Sequence, residues 1–346
     1  MNQPSPPLDR YARQMQYPPI GEQGQRRLLA SRVLVCGCGA LGSVLANTLA
    51  RAGVGHLRIV DRDLPELNNL QRQVLYDEDD VAAGIPKAVA AQRRLRRINS
   101  QVDVEAIVAD LDHQRIISLL DGVHLIVDGT DNFDTRFLIN DAAIKFGLPW
   151  VFGGCVGAEG QTMTILPGET PCLRCLLPEP PPPGTSPTSD VAGILAPIVN
   201  IVASWEACEA IKILSGHREA ISRTLTVFEL WDGHVRQIAL DRLRESADCP
   251  ACHKREFPWL EGAQGNHTSA LMGRNAVHLS SPGGCQPSLQ SLAQRWQGIG
   301  RVTANPFLLR LEVENYTLTV FPDRRAIIHG TEDIAEARAV YAKYVG

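Results

Sequence analysis

Apolar and polar positions alternate along the first two thirds of the chain in two distinct rhythms. EQGQRRLLA (22–30) has the spacing of a short amphipathic helix, and SRVLVCG reads as a buried strand. ALGSVLANTLARAG has helical periodicity that stops at Gly53, and HLRIVD is a second strand. The series continues with a helix (PKAVAAQRRLRRIN), a strand (VDVEAIVAD), a short helix (HQRIISLLDG) and a strand (VHLIVDGTD). A further helix (NFDTRFLINDAAIKFG) and strand (PWVFGGCVG) follow. This alternation predicts an α/β fold, a Rossmann-like, largely parallel sheet with helices on both faces.

The pattern then changes. CLRCLLPEPPPPGTSPTSD holds four consecutive prolines and is expected to be an extended, mobile loop. VAGILAPIVNIVASWEACEAIKILSG is a long apolar helical region with a kink expected at Pro197. RTLTVFELWDGHVRQIAL has the form of a hairpin turning at Asp232-Gly233. EGAQGNHTSA is polar and glycine-containing, and residues 254–273 are assigned to a linker. From 274 to 346 the pattern gives a small α+β unit: AVHLS, the helix SLQSLAQRW, strands near VTA, LLRLEVEN, YTLTVFP and RAIIHG, and a closing helix.

Length and composition fit this division. The 346 residues allow one ordinary domain with a smaller appendage, and 44% hydrophobic against 21% charged residues supports a substantial core. A net charge of −4 gives no basis for bulk attraction to nucleic acid or to an anionic membrane. No apolar run approaches the ~20 residues of a membrane span. The start, MNQPSPPLDRYARQ, lacks the features of a secretory signal, so a cytoplasmic protein is expected.

Chemistry enters at VLVCGCGALG. Gly37, Gly39 and Gly42 end a strand and open a helix, and Asp61 ends the next strand about twenty residues on, the pattern of a dinucleotide site. The pattern does not say which nucleotide, and three further features point to a polyphosphate. NNLQRQ (68–73) adds amides and the planar fork of Arg72. Lys87 follows GIP at a helix start; its bland alternative is a solvated surface lysine. GTDN (129–132) lies at the carboxyl end of a strand, where Asp131 could hold Mg²⁺ through oxygen. The alternative for Asp131 or Asn132 is capping the next helix.

Of nine cysteines, four form two CxxC pairs, Cys172/Cys175 and Cys249/Cys252. Four thiolates suffice for a closed tetrahedral zinc site, here clamping the segment after the hairpin to the loop near residue 172. Neither pair is expected to open a helix after a strand, as a thioredoxin-like redox site would. Cys36, Cys38, Cys155, Cys208 and Cys285 are scattered, as small buried hydrophobes are.

Taken together, RYARQ, GCGALGS, AGVGHLRIVDRD, NNLQRQ, GIPKA, TDN, EGQ, PCLRC, AGILAP, EAIKIL and CPAC resemble the ThiF/MoeB/HesA family, bacterial relatives of ubiquitin-activating enzymes. The resemblance spans about residues 8–253 and implies an ATP-binding adenylation domain over 1–253. It does not cover the unit at 274–346, whose role is left open. The implied reaction is adenylylation of the C-terminal glycine of a small ubiquitin-like sulfur-carrier protein with a Gly-Gly tail, in a thiamine or molybdopterin type pathway.

By position, the resemblance places Gly37, Gly39, Ala40, Gly42, Asn68, Leu70 and Gln71 along the nucleotide, with Asp61 and Asp63 on its ribose or metal side. Asn69, Arg72 and Lys87 contact phosphates, and Asp131, with Asn132 beside it, holds Mg²⁺. Arg13, in RYARQ, matches an arginine that enters from the other subunit of a homodimer; a surface salt bridge is its alternative. Zinc at the four cysteines is also implied.

The sequence departs from the family twice. Ala40 stands where many relatives carry glycine, and Ser189 occupies the position of a crossover-loop cysteine that forms a thioester or disulfide. A serine with no base identified beside it does not replace a thiolate. The expectation is a protein that stops at adenylylation, with sulfur from a separate sulfurtransferase. Cys155 and Cys285 are the substitute thiols to weigh. A non-catalytic nucleotide-binding adaptor and an NAD-dependent oxidoreductase are the alternatives of other classes.

Overall fold

The computed structural model describes residues 8–182, 185, 189–246, 248–264, 268–271, 275–279, 288–322 and 325–345. Cys285 lies outside the described residues. The chain divides into two units, 1–264 and 265–346.

The first unit is built on an eight-stranded sheet of β1 (Arg32–Cys36), β2 (His56–Val60), β3 (Asp103–Ile107), β4 (Leu125–Asp128), β5 (Trp150–Val156), β6 (Glu159–Ile165), β7 (Thr224–Glu229) and β8 (His234–Ala239). The order is β3-β2-β1-β4-β5-β6-β7-β8. The first five strands pair in parallel and the last three antiparallel. The sheet is therefore largely parallel, with an antiparallel flank that includes the expected hairpin. The order in which strands are added reverses between the parallel neighbours β1 and β4, which makes their carboxyl ends the crevice of the sheet.

Alternation along β1 shows why the run is apolar throughout. Val33 and Val35 enter a core with α2 (Ala40–Ala52) and α3 (Lys87–Ile98); Leu34 and Cys36 enter a second core with α4 (His113–Leu119) and α5 (Phe133–Phe146). Gly53, with φ 86°, ends α2 where the periodicity stops. α1 (Gly21–Leu29) and α6 (Ala196–Ser215) complete the first layer. α6 is apolar on most sides because it packs on α2 on one flank and on β5 and β6 on another.

Two local expectations change. Pro197 does not kink α6; the helix begins at Ala196, and proline in its first turn loses no internal hydrogen bond. The stretch after β6 is not extended throughout, since Leu173–Leu176 and Ser189–Ala192 are helical turns.

The boundary between the units falls inside 254–273. Phe257, Trp259 and Leu260 from its first half are buried in the second core, and Thr268–Leu271 is a strand of the second unit. That unit is an antiparallel six-stranded sheet of β9 (Thr268–Leu271), β10 (Ala276–Leu279), β11 (Arg301–Asn305), β12 (Leu308–Val313), β13 (Tyr316–Val320) and β14 (Ala326–His329), in the order β11-β12-β13-β14-β10-β9. Two helices, α7 (Leu289–Arg295) and α8 (Ile334–Tyr344), share a core with its Leu309, Leu311, Leu318 and Ile328. Trp296 is fully buried, and its indole N–H donates to the Tyr344 carbonyl at 2.8 Å. Among the described residues, no helix is long and apolar enough to cross a membrane.

Candidate functional site

The glycine turn follows β1. Gly37 has φ 80°, and a Cβ there would lie 2.8 Å from the Gly129 carbonyl oxygen; one at Gly42 would lie 2.0 Å from the Gly37 carbonyl. These glycines, with Gly129, let the turn after β1, the start of α2 and the turn after β4 touch through backbone. Gly39 differs, because a Cβ there would meet only the Gln73 side-chain amide, at 3.8 Å. Among the described residues no backbone of another segment lies within 4 Å of that position. Ala40 begins α2 with no positive φ, so alanine fits.

The turn is fastened from below. Asp61 is buried; one of its oxygens accepts from the Cys38 N–H and the other from the Asp63 N–H, each at 2.7 Å. Burial raises the Asp61 pKa, while Lys87 opposes the shift. Tyr76, which the sequence reading passed over, donates its hydroxyl to the Cys38 carbonyl at 2.6 Å. Cys38 is pushed up to about 12 by burial and then by Asp61, and burial raises Cys36 too, so both are packing thiols.

Lys87 opens α3 and is only 3% exposed, which removes the solvated-lysine alternative. Its Nζ lies 3.4 Å from an Asp63 oxygen, and its N–H donates to the Asp63 carbonyl at 2.8 Å. Asn69 is buried and closes a capping box with Glu66. Asn68 is exposed and Leu70 half-buried; the exposed Gln71 donates to the Ile194 carbonyl at 3.4 Å. Arg72 is half-buried and donates to the Asn68 carbonyl at 2.8 Å. Gln73 is 4% exposed, and its Oε1 has no hydrogen-bond partner among the described residues. A buried orphan amide beside an open glycine turn is what a site built for a polar ligand shows.

Asp131 and Asn132 are both exposed after β4. The capping role belongs to Asn132, whose oxygen accepts from the Thr135 N–H at 2.9 Å. Asp131 lies in the field of Arg62, which also meets Asp110 at 2.6 Å and Asp63 at 3.6 Å. Burial lowers the Arg62 pKa, but the three carboxylates outweigh it and raise it overall. Nothing in the sequence separates Arg62, between Asp61 and Asp63, from a surface arginine.

Arg13 is not brought to this crevice. It is exposed in a short helix beside Gln14, whose amide donates to the Ala52 carbonyl, the last residue of α2, at 2.9 Å. The glycine turn is at the other end of that helix, about 20 Å away at 1.5 Å per residue.

The four cysteines converge. Sγ of Cys172 lies 3.8 Å from that of Cys175 and 3.6 Å from that of Cys249, and Cys175 lies 3.8 Å from Cys252. A tetrahedron of thiolates about zinc at 2.3 Å has edges of ~3.8 Å, whereas a disulfide needs ~2.05 Å. The donor set therefore fits a metal such as zinc. Cys172 caps a helical turn of only four residues, set apart from β6 by residues 166–171, and its thiol has three sulfur neighbours, so the arrangement is not that of a redox pair opening a helix after a strand.

The loop is held from α5. Asn140 accepts from the Leu173 N–H at 2.9 Å, and Asp141 lies 3.4 Å from Arg174 and accepts from the Trp259 N–H at 3.1 Å. Burial raises Asp141 to about 6, with Arg174 opposing. As for other thiols, Cys155 is half-buried and its pKa is raised by burial and by Glu206. It is poorly suited to be a nucleophile.

Fold and site define the class: a doubly wound α/β protein with a polar ligand crevice at the switch point and a four-thiol clamp. The chain belongs to the ThiF family, which it matches over residues 11–272. It is 44% identical over 338 residues to the sulfur carrier protein ThiS adenylyltransferase of Bacillus subtilis, covering 97% of this chain and 99% of that protein. The match takes in the second unit. It is 41% identical to a sulfur carrier protein adenylyltransferase of Thermus thermophilus, over 71% of this chain and 90% of that one. It is 40% identical to the adenylyltransferase and sulfurtransferase MOCS3 of Mus musculus, over 70% of this chain and 52% of that protein. Among solved structures, E. coli MccB with succinimide is similar in fold, with a TM-score of 0.60 at 23% identity over 70% of this chain and 73% of that one.

Proposed function

We propose that this protein is an adenylyltransferase that activates a small sulfur-carrier protein with ATP. The carrier's C-terminal glycine carboxylate attacks the α-phosphate, giving an acyl-adenylate and pyrophosphate. One observation supports the reading: the open glycine turn, the buried Lys87 with its half-buried partner Asp63, and the exposed Asp131 all follow the carboxyl ends of β1, β2 and β4 or pack beside them. The long match to a named ThiS adenylyltransferase supports it.

In this reading Gly37, Gly39, Ala40 and Gly42 present backbone to the nucleotide at the start of α2. Asp61 and Asp63 lie on its ribose side, and Asn68, Leu70 and Gln71 line its approach. Asn69, Arg72 and Lys87 hold phosphate oxygens, and Gln73 supplies a further amide. Asp131, with Asn132 beside it, would hold Mg²⁺, which offsets charge on the leaving pyrophosphate when bound. Catalysis is then mostly positioning and charge compensation. Arg13 reaches the site from a second copy in a homodimer. Cys172, Cys175, Cys249 and Cys252 hold a structural zinc.

The carrier's Gly-Gly tail is accepted without a crossover-loop thioester, because Ser189 opens a helical turn where a thiol would be needed. A separate sulfurtransferase then supplies sulfur. A non-catalytic adaptor would not need the buried Lys87, and an oxidoreductase would not need Arg72 and Asp131.

Carrier-dependent ATP–pyrophosphate exchange tests the reading. Asp131→Ala is expected to abolish exchange and Ser189→Ala to leave it nearly intact. Loss of exchange in Ser189→Ala would show the crossover loop to be misread.

A further inference from the structure

Beneath the Asp131 turn lies a buried charge cluster that neither the family resemblance nor the reading above uses. β4 ends in Asp128, which is fully buried. One of its oxygens accepts from both the Thr130 N–H, at 2.8 Å, and the Thr130 hydroxyl, at 2.6 Å. Arg136, in the first turns of α5, lies 3.4 Å from the other oxygen through Nε. Its Nη2 donates to the Thr130 carbonyl at 2.8 Å and to the Gly153 carbonyl at 3.1 Å. All three polar groups of Thr130 are therefore held, and Asn132 on the far side is held by its cap. Asp131 is the one residue between two fixed ones.

The surroundings are shaped for this guanidinium. It lies 5.3 Å from the Phe152 ring centroid and 5.8 Å from that of Phe133. A Cβ at Gly154 would sit 3.2 Å from Arg136 Nη2, and one at Gly153 would sit 1.9 Å from Glu206 Oε1. Neighbouring residues of a strand face opposite sides of the sheet. The glycine pair thus admits a guanidinium on one face and a carboxyl on the other.

We propose that Arg136, acting with Asp128, is the positioning residue that fixes the Asp131 turn and so sets how tightly the site takes the divalent cation that accompanies the nucleotide. The inference rests on the adenylyltransferase reading for its assay. Its structural half does not.

Lysine would keep the charge of Arg136, but a single ammonium cannot bridge Asp128, Thr130 and Gly153 at once. In Arg136→Lys, the Mg²⁺ concentration for half-maximal pyrophosphate exchange is expected to rise about 10- to 100-fold. The rate at saturating Mg²⁺ should stay within about threefold of wild type, because no group contacting substrate has been removed. Thr130→Val, a milder change that keeps the fold if the lysine variant does not, should shift Mg²⁺ dependence the same way by about threefold. Unchanged Mg²⁺ half-saturation with a fallen maximal rate would overturn the proposal, since that is the signature of a merely structural residue.

The second readout needs no activity. Amide hydrogen exchange at Thr130 should accelerate in Arg136→Lys and in Asp128→Asn, and unchanged protection in both would refute the tie. Should wild-type protein show no exchange activity with any carrier, the adenylyltransferase reading fails, and the amide measurement still decides the positioning.

Discussion

At the scale of single residues, Glu206 has the least ordinary surroundings. It lies within α6, fully buried, and neither carboxyl oxygen has a hydrogen-bond partner among the described residues. Burial raises its pKa well above the usual carboxylate value; Asp128 from β4 raises it further and Arg136 from α5 opposes. Cys155 from β5 is the third titratable group in its field. The folded protein keeps the proton that the unfolded chain gives up near pH 4.5, so this group's contribution to stability falls as pH rises from there through the folded pKa. The loss is at most about 1.4 kcal/mol per pH unit. Glu206→Gln, a neutral isostere, should be the more stable at neutral and alkaline pH, and urea unfolding from pH 5 to 9 should show the two stabilities diverging. Parallel profiles would mean that Glu206 is ionised in the fold. Nothing in WEACEAIK separates this glutamate from Glu209, which is also buried but is held by Lys212 and the Ser222 N–H. By contrast, Lys87 was legible because GIPK sets it at a helix start, although its burial was not. Gln73 and Arg62 lie in NNLQRQ and DRD, but only the fold shows that one amide is buried and the other side chain ringed by carboxylates.

At the scale of elements, β1 to β5 and their helices could be read directly, because β1 and β4 are buried on both faces, β2 and β3 alternate, and α2 and α5 end at glycines. Pro197 was misread for a physical reason: proline is costly within a helix and harmless in its first turn, and sequence alone does not locate the start. The Gly153–Gly154 pair is also an element-scale feature. Gly153→Ala should destabilise by about 1–3 kcal/mol, since its Cβ must displace the Glu206 carboxyl. Combining it with Glu206→Ala should recover part of that loss in a double-mutant cycle, and strict additivity would show that the two do not touch. The cysteine clamp was legible from spacing alone, whereas its support by Asn140, Asp141 and Arg174 was not. One zinc per chain is expected by elemental analysis. Cys249→Ala should lose the metal and open the 241–260 segment to protease, and full metal content in that variant would contradict the clamp.

At the scale of the whole molecule, the position of Arg13 makes a homodimer a functional requirement of the proposal, because within one chain it sits at the wrong end of α2. Arg13→Ala and Asp131→Ala should each be inactive alone. Mixed and allowed to exchange subunits, they should regain up to about a quarter of wild-type activity, since half the dimers are mixed and each holds one intact site. No recovery would place Arg13 outside the neighbouring site. The second unit was legible as α+β, yet no motif in it states a role. Its presence in a relative matched over nearly its whole length makes it part of this type of chain rather than a chance appendage. The proposed chemistry joins these scales, and carrier-dependent ATP–pyrophosphate exchange by the full-length protein tests it most directly. Label should enter ATP only when a sulfur carrier with an intact Gly-Gly tail is present, and not at all in Asp131→Ala. Exchange that persists without the carrier, or in Asp131→Ala, or that fails with every Gly-Gly carrier, would contradict it.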